Sequence, residues 1–168
     1  ADTKLASKWK KKMDAQQKPL IGVAWEGNPL HKNDHNRSIL LAELIPHLPK
    51  KYEYIGLQKD IRESNLKTLK INSIIDNLID NNVSMDDTAA IIENLDIVIS
   101  VDTSVAHLSA SMGKPTWILL PFVPDWRWLL NRNDSPWYKS VKLFRQEKRG
   151  NWELVFKDLN KKLNVLYQ

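Results

Sequence analysis

The sequence predicts an α/β domain in which helices cover both faces of a parallel sheet. Short apolar runs rich in β-branched residues alternate with helix-like patterns of about 10–15 residues, as in strand–helix–strand units. The length of 168 residues suits one domain with its own core. At residues 96–107 an apolar run gives way at once to a helical pattern. We therefore expect a single domain over residues 1–168, with a basic lead-in helix within residues 1–17.

The first predicted elements are a helix, a strand and a polar loop. Residues 3–15 have the spacing of an amphipathic helix. Its apolar face carries Leu5, Trp9 and Met13. Residues 19–25 are apolar enough for a buried strand, and residues 26–37 follow as a polar loop.

The next predicted helix begins at Ser38, because serine side chains accept hydrogen bonds from the first helical amides. The side chains expected to face the core are those of Leu40, Leu41, Leu44 and Ile45. Pro46 and Pro49 close this helix, since proline cannot donate a backbone hydrogen bond. A strand over residues 52–58 follows.

The remaining predicted elements again alternate between helix and strand. They are a short helix in 60–70, a strand near Ile74 and Ile75, a helix over 85–95, a strand over 97–101, a helix over 103–112, a strand over 115–120, a loop with a short helical turn over 121–138, a strand over 141–145 and a closing helix over 152–166. Gly113 suits the left-handed end of the helix before it, and Pro115 prevents that helix from continuing.

Composition excludes several classes of protein. The chain contains no cysteine, which excludes disulfides, a thiol nucleophile and thiolate metal sites. No apolar run reaches the roughly 18 residues of a membrane span and no signal peptide is visible, which predicts a cytoplasmic protein. A chain that begins at Ala1 also suits a piece of a larger protein.

The net charge of +5 is concentrated at the amino end. Residues 1–20 contain six lysines against two aspartates, so the rest of the chain is nearly neutral. A solvated face is favoured over a nucleic-acid stripe, because no nucleic-acid-binding motif accompanies these lysines. We therefore expect no nucleic-acid partner.

The junction after the strand at 97–101 is the strongest functional signal. In open α/β sheets ligands bind beyond the carboxyl ends of the strands, and the amino end of the following helix attracts phosphates. Asp102 or Thr103 can instead serve only as a helix cap, and that alternative stays open. His107 lies one turn beyond Thr103 and can bond a ribose or phosphate, or be a satisfied, half-buried imidazole. The junction predicts a phosphate-bearing ligand such as a nucleotide.

The polar loop at 26–37 also follows a strand and so opens on the same edge of a parallel sheet. Gly27 lets the backbone approach a ligand closely, and Arg37 can clamp a phosphate through two hydrogen bonds. His31 and His35 are four residues apart, but without a third ligand we expect no metal. A solvated surface loop is the competing interpretation.

Two weaker candidates follow later strands. Gln58 and Lys59 can reach a base or phosphate, although ordinary surface polarity explains them as well. The loop at 121–138 is rich in tryptophan and proline and can stack on a sugar or base. For Trp126 and Trp128 we favour a packing role, at the end of the sheet or against another domain.

Several motifs together resemble a known family. They are Asp87-Thr88-Ala89-Ala90, Asp96 to Thr103 with His107, and Gly113-Lys114-Pro115. With them the chain resembles the nucleotide-sugar-binding half of heptosyltransferase-like glycosyltransferases. It is most similar to a bacterial branch often found behind tetratricopeptide repeats and named as O-linked N-acetylglucosamine transferases. The motifs typical of that branch are Trp25 to His31, Pro121 to Trp128 and Asp134 to Tyr138.

The resemblance covers residues 20–158 and implies a Rossmann-like domain, the carboxyl-terminal half of a GT-B fold. In that fold two such domains face each other across a cleft. The positions implied to meet the donor diphosphate are Asp102, Thr103, Ser104 and Val105, the last two through their amides. Those implied to lie near the ribose, the phosphates or the sugar are Asn28, His31, Arg37 and His107. The catalytic base is expected outside this chain, and neither a bound metal nor a cofactor is expected.

The predicted function is donor binding in an inverting glycosyltransferase. The ligand would be a nucleotide sugar, and the partner a preceding amino-terminal or tetratricopeptide-repeat domain. The isolated chain is expected to be inactive. The alternative is a non-catalytic module, derived from such a domain, that binds a nucleotide or a protein. A dinucleotide-dependent oxidoreductase is excluded because the Gly-x-Gly-x-x-Gly motif is missing.

Overall fold

A computed structural model describes residues 1–13, 18–80 and 82–166. Its strands are β1 (Leu20–Ala24), β2 (Glu53–Gly56), β3 (Ile75–Asn77), β4 (Ile97–Val101), β5 (Thr116–Leu120) and β6 (Val141–Arg145). Its helices are α1 (Thr3–Lys12), α2 (Asp34–Arg37), α3 (Leu41–Leu44), α4 (Glu63–Ile71), α5 (Met85–Glu93), α6 (Ser104–Ser111) and α7 (Glu153–Val165). Two 3₁₀ turns span Ile45–His47 and Trp126–Trp128.

The six strands form one sheet in the order β3-β2-β1-β4-β5-β6, and each neighbouring pair is parallel. This confirms the predicted fold class and is the strand order of doubly wound nucleotide-binding folds. The order reverses between β1 and β4, which are hydrogen-bonded neighbours at the centre of the sheet. Loops leave these two strands in opposite directions, so a crevice opens at their carboxyl ends.

The central strand β4 shows why the sheet is buried on both faces. All five of its residues are buried, and successive side chains point to opposite faces. Ile97 and Ile99 pack with α3 and α7, whereas Val98 packs with α1 and α5. Because each fully buried aliphatic side chain contributes about 1.5–3 kcal/mol, the two layers hold the central strands firmly. The carboxyl edge is therefore a rigid base for the loops that follow.

Helix α1 rests on α5 through the residues that the sequence pattern indicated. Trp9 and Met13 are buried, and Leu5 packs beside them. The helix ends at Lys12, and the last part of the predicted range, 14–15, lies outside the described residues. No helix in the described part of the chain is long and apolar enough to cross a membrane.

The prediction for residues 38–49 was partly wrong. Ser38 does not cap a helix, because its hydroxyl donates to the Asp34 carboxylate and accepts from the Gly27 amide, each at 3.0 Å. Helix α3 begins only at Leu41, with Leu40 exposed, and passes into a 3₁₀ turn that contains Pro46. The loop before it also carries the short helix α2, so it is more ordered than its polar composition predicts.

Later elements match their predictions within one to three residues at each end. Gly113 has a φ of +74°, the left-handed conformation expected at the end of α6. The most buried face of α6 is formed by Ala106, Ser109 and Ala110. The apolar residues Val105, Leu108 and Met112, which an apolar pattern alone would place on the buried face, are partly buried and pack against α5.

Candidate functional site

Two clefts open at the carboxyl edge of the sheet, on either side of the amino end of α6. The larger has a volume of about 740 Å³ and the smaller about 460 Å³. Arg37, Thr103 and Ser104 line both, so the clefts meet at the first turn of α6. Every residue predicted for the site lines at least one of them. In the larger these are Gly27, Asn28, Arg37, Gln58, Thr103, Ser104 and Val105, and in the smaller His31, Arg37, Asp102, Thr103, Ser104 and His107.

The amino end of α6 is left open by its own chain. Thr103 occupies the N-cap position, yet its side chain accepts no hydrogen bond from the helix. Its hydroxyl lies 3.0 Å from the Ser100 hydroxyl instead. Among the described residues, none accepts a hydrogen bond from the amides of Ser104 and Val105. These amides and the helix dipole therefore provide partial positive charge where the clefts meet.

The larger cleft combines apolar walls with a few polar groups. Its apolar lining comprises Ala24, Leu30, Leu57, Ile79, Val83, Met85 and Val105. Gln58 lies at the base of this cleft and is buried. Its side-chain oxygen accepts from the amides of Trp25 and Glu26, and its nitrogen donates to the carbonyl of Asp60. In this structure Gln58 thus ties β1 to β2. A largely apolar lining with a few polar groups is typical of small-molecule sites.

Arg37 is held by a network of buried charges. Its Nε donates to Asp34 at 3.2 Å, and its Nη1 donates to the backbone carbonyl of Asp102 at 2.6 Å. Arg62 pairs with Asp34 and also with Glu26, whose Oε2 lies 3.5 Å from the Arg62 Nε. Both carboxylates are almost fully buried, at 2% and 3% exposure. Since unpaired charges are costly inside a protein, these four side chains fix one another, and Arg37 is positioned between the clefts.

The sequence analysis missed Glu26, Asp34 and Arg62. Arg62 lies 28 residues from Asp34 and 36 residues from Glu26, so no local pattern pairs it with either. Asn65 belongs to the same cluster, because it donates to Glu26 at 3.2 Å and accepts from the Leu41 amide at 2.8 Å. The sequence did contain one signal for this cluster. Four charged residues lie in or beside the two loops that follow the adjacent strands β1 and β2.

Gly27 is required by this network. A Cβ atom at that position would lie 2.4 Å from both the Arg37 Nη2 and the Asp34 Oδ1. A larger residue would therefore displace the Arg37–Asp34 pair. The close approach predicted for Gly27 is thus seen toward two side chains. Asn28 lies next to it, exposed, with its Oδ1 accepting from the Leu30 amide at 2.9 Å.

His107 stands at one wall of the smaller cleft with a partner on each ring nitrogen. Its Nε2 lies 3.6 Å from the Asp102 Oδ1, and its Nδ1 lies 3.1 Å from the Tyr138 hydroxyl. The imidazole also stacks on Trp128, with ring centroids 5.1 Å apart. The ring is therefore fixed in orientation while its edge remains half-buried at the cleft. His31, on the opposite loop, is exposed and accepts from the Asn33 amide.

The ion pair of Asp125 and Arg127 lies on the far side of the smaller cleft. The Asp125 Oδ1 accepts from the amide of Arg127 at 3.0 Å and from its Nη1 at 2.8 Å. Partial burial raises the pKa of Asp125, but the two bonds from Arg127 outweigh it, so the pKa lies below its usual range. Asp125 is therefore a carboxylate at neutral pH and a poor proton acceptor.

The two tryptophans of the aromatic loop lie in different surroundings. Trp128 is fully buried beneath His107, which confirms its packing role. Trp126 is 67% exposed and lines the smaller cleft, so it does not pack at the end of the sheet, and packing against another domain stays a prediction. The two residues are separated by Arg127 in one 3₁₀ turn, and one indole lies inward while the other lies outward.

The chain is similar to known glycosyltransferases in one sequence segment and in its fold. The family model of glycosyltransferase family 9 (heptosyltransferase) matches residues 56–120, from the end of β2 to the end of β5. The open end of α6 lies within that segment. No curated protein matches the chain.

Two solved structures share the fold. The E. coli ADP-heptose LPS heptosyltransferase II superposes with a TM-score of 0.67 at 14% identity, over 98% of this chain and 51% of that one. A glycosyl transferase family 9 from Veillonella parvula DSM 2008 gives a TM-score of 0.58 at 12% identity, over 93% of this chain and 43% of that one. The chain thus spans about half the length of the structures that it matches.

Proposed function

We propose that this domain binds the nucleotide-sugar donor of an inverting glycosyltransferase. The observation that carries the proposal is the uncapped amino end of α6, placed at the switch point of the sheet with Arg37 beside it. Helix amino ends in this position bind phosphates in α/β folds. The family 9 match over residues 56–120 supports a sugar-transfer role for the same segment.

The two clefts suggest how such a donor would lie. The nucleoside would occupy the larger cleft, against Leu57, Ile79 and Val105. The diphosphate would accept from the Ser104 and Val105 amides and from Arg37. The sugar, bonded to the outer phosphate, would then enter the smaller cleft. This assignment gives each cleft the part of the donor that its lining suits.

The chemistry required of this domain is stabilisation of the leaving diphosphate. When an acceptor hydroxyl attacks the anomeric carbon from the opposite face, the bond to the outer phosphate oxygen breaks and negative charge collects on the diphosphate. Preorganised amides and Arg37 would meet that charge without a metal ion. His107, held between Asp102 and Tyr138, could add a further hydrogen bond from the smaller cleft.

The proton of the attacking hydroxyl needs a base. Among the carboxylates that line the clefts, Glu26 is paired with Arg62, and Asp125, whose pKa is lowered, is a poor proton acceptor. The base would come from a facing domain, as the resemblance to GT-B enzymes implies. A tetratricopeptide-repeat partner is supported by the sequence resemblance alone.

Calorimetry and thermal unfolding with UDP, ADP, GDP and CDP test the proposal. At a hundredfold excess over the dissociation constant, a ligand that binds the folded state adds about 2.7 kcal/mol to the unfolding free energy. At least one diphosphate is expected to bind, and its nucleoside more weakly. If no diphosphate binds at millimolar concentration, the donor-site proposal is wrong.

Assays of sugar transfer and donor hydrolysis by the isolated chain test whether catalysis requires a facing domain. Turnover should be absent or very low, because a positioned base alone contributes about 10²–10⁴-fold. Diphosphate binding without any transfer, even in a chain extended by its preceding domain, would favour a non-catalytic nucleotide-binding module. Robust turnover by the isolated chain would place the base within these 168 residues.

A further inference from the structure

The rim of the smaller cleft carries an exposed aromatic side chain that the phosphate site does not explain. The loop between β5 and β6 contains most of the large exposed apolar residues near this edge: Phe122, Val123, Trp126, Leu129, Leu130 and Trp137. Of these, Trp126 lines the cleft that also contains Thr103 and Ser104. An indole that is 67% exposed beside a polar cleft is typical of a binding surface rather than of a packed core.

Trp126 is presented by a fixed backbone. The 3₁₀ turn that holds it is bonded to the rest of the domain at both following residues. The carbonyl of Arg127 accepts from the Trp137 indole nitrogen at 2.8 Å, and the carbonyl of Trp128 accepts from Arg145. The Arg127 guanidinium lies 4.9 Å from the centroid of the Trp126 ring and covers part of it. The indole is therefore held in place while most of its surface stays accessible.

Polar groups suited to hydroxyls lie beside this ring. Both bonds from Arg127 reach the Oδ1 of Asp125, so within the described chain the Oδ2 has no hydrogen-bond partner. That oxygen can accept from hydroxyl groups. His31 and Asn33 line the facing wall of the same cleft. The cleft thus offers one aromatic surface and several hydrogen-bonding groups.

A pyranose ring has matching chemistry. One or both of its faces present C–H groups that pack on an aromatic ring, and its edge presents hydroxyls that bond to carboxylates and guanidinium groups. The sugar of a nucleotide sugar is bonded directly to the outer phosphate, so it would lie next to the first turn of α6. The cleft with Trp126 begins at that turn, since Thr103 and Ser104 line it.

We propose that Trp126, with Asp125 and Arg127, forms the subsite for the sugar ring of the donor, Trp126 by stacking and Asp125 by accepting from ring hydroxyls. The proposal rests on the proposed function and extends it to sugar recognition. All three residues lie outside the family-matched segment 56–120, so this subsite belongs to the part of the chain that the family model does not cover.

The experiment compares matched pairs of ligands: UDP with UDP-glucose, ADP with ADP-glucose and GDP with GDP-glucose. Calorimetry gives the affinity of each, and the ratio within a pair isolates the effect of the sugar. Wild-type protein, Trp126→Ala, Asp125→Asn and the control Phe122→Ala are measured. Phe122 is aromatic and exposed in the same loop, but it is not among the residues that line the cleft. Thermal unfolding checks that each variant is folded.

The glucose conjugate is expected to bind more tightly than its diphosphate in the wild type and in Phe122→Ala. Trp126→Ala should lose about threefold to tenfold of affinity for the conjugate and keep its affinity for the diphosphate. Asp125→Asn should show a loss in the same direction. Equal affinity for the two members of every pair in the wild type would overturn the subsite, as would an unchanged ratio in Trp126→Ala.

The two proposals fail in different ways. If the wild type binds none of the diphosphates or conjugates, the donor-site proposal fails and the sugar subsite falls with it. A third outcome is that Trp126→Ala binds diphosphates and glucose conjugates as the wild type does, but binds free methyl glucoside more weakly. The surface would then belong to an acceptor, and the donor-sugar subsite would be overturned. A loss confined to the glucose conjugates supports the subsite.

Discussion

The amino ends of α5 and α6 border the same cleft, yet only one is closed by its own side chains. At α5 the Ser84 hydroxyl accepts from the Asp87 amide at 3.0 Å, and Asp87 accepts from the Ser84 amide at 3.2 Å. At α6 the corresponding Thr103 makes no such bond and turns its hydroxyl toward Ser100. The two helices have nearly equal lengths, yet among the described residues side chains cap the amino end of α5 and not that of α6.

The difference separates a helix end that is satisfied by its own chain from one that we propose binds a phosphate. The reciprocal bonds at α5 satisfy two backbone donors and set a negative charge against the helix dipole. Trp9 of α1 donates to the same Asp87 at 2.8 Å, so this end is stable without a ligand. Over the residues that the structure describes, the amino end of α6 keeps unpaired backbone amides and its partial positive charge. A bound anion would accept hydrogen bonds from those amides.

Thr103→Asp should have the largest effect. A carboxylate at the N-cap would accept from the first amides of α6 and repel a phosphate there, since like charges about 4 Å apart repel by about 4 kcal/mol at an effective dielectric constant of 20. Diphosphate affinity should fall at least about a hundredfold, while the unfolding free energy stays equal or rises. Calorimetry and denaturant unfolding measure the two quantities. Thr103→Ser is the control and should bind as the wild type does; retained binding in Thr103→Asp would show that phosphate does not reach α6.

Arg37→Ala should weaken diphosphate binding more than nucleoside binding. A charge-assisted hydrogen bond to phosphate is worth about 1.5–3 kcal/mol, which is roughly ten- to a hundredfold in affinity. The variant also loses the bonds to Asp34 and to the Asp102 carbonyl, so its stability must be measured in parallel. Arg37→Lys should restore part of the diphosphate affinity. Equal losses for nucleoside and diphosphate would mean that Arg37 serves the fold and not the phosphate.

Ser84→Ala should affect stability and leave binding unchanged. Removal of a serine N-cap costs about 0.5–2 kcal/mol of unfolding free energy. Because this end of α5 is already satisfied, it contributes no donors to a ligand, and diphosphate affinity should stay within experimental error. Chemical denaturation and calorimetry on one preparation test both statements. A clear loss of affinity in Ser84→Ala would remove the distinction between the two helix ends.

Asp87→Asn should have the smallest effect, and it should depend on pH. The Ser84 side chain first, and then the Trp9 indole, hold the pKa of Asp87 below its usual range. A carboxyl whose pKa is lowered in the folded state stabilises the protein above the unfolded pKa, about 3.9 for aspartate, and this contribution is lost as the pH falls through the folded pKa. Wild type should therefore be more stable than Asp87→Asn at pH 7, with the difference shrinking as the pH falls below the unfolded pKa of about 3.9. A difference that does not change with pH would assign the effect to hydrogen-bond geometry alone.

The contrast between the helix ends was only partly visible in the sequence. Ser84 with an acidic residue three positions later is a local capping pattern, and a helix starting at Met85 was predicted from Met85, Asp86 and Asp87. Thr103 is also a common N-cap residue, so by pattern alone it equals Ser84. What distinguishes it is the Ser100 hydroxyl, which lies three residues earlier at the end of β4 and competes for the threonine side chain.

The arrangement around the clefts could be predicted only in part from the sequence, for a similar reason. Strand ends and helix starts, together with the family resemblance, pointed to ten residues, and all ten line the clefts. The same reasoning did not find Glu26, Asp34 and Arg62, and it assigned Ser38 to a cap. Glu26 and Asp34 pair with Arg62 of another loop, and Ser38 bonds to Asp34 and Gly27 instead of a helix amide. The preference of a buried charge for a distant partner leaves no periodic pattern in the sequence.

The sequence by itself determined the alternation of strands and helices, the parallel sheet and the edge where a ligand would bind. Those features follow from side-chain periodicity, turn residues and helix boundaries, which act over a few neighbouring residues. Only the tertiary structure decided that Arg37 is held by buried carboxylates, that Trp128 supports His107 while Trp126 faces the cleft, and that two clefts meet at α6. These outcomes depend on packing between loops far apart in the chain, where burial and charge pairing select one arrangement from many that the local patterns allow.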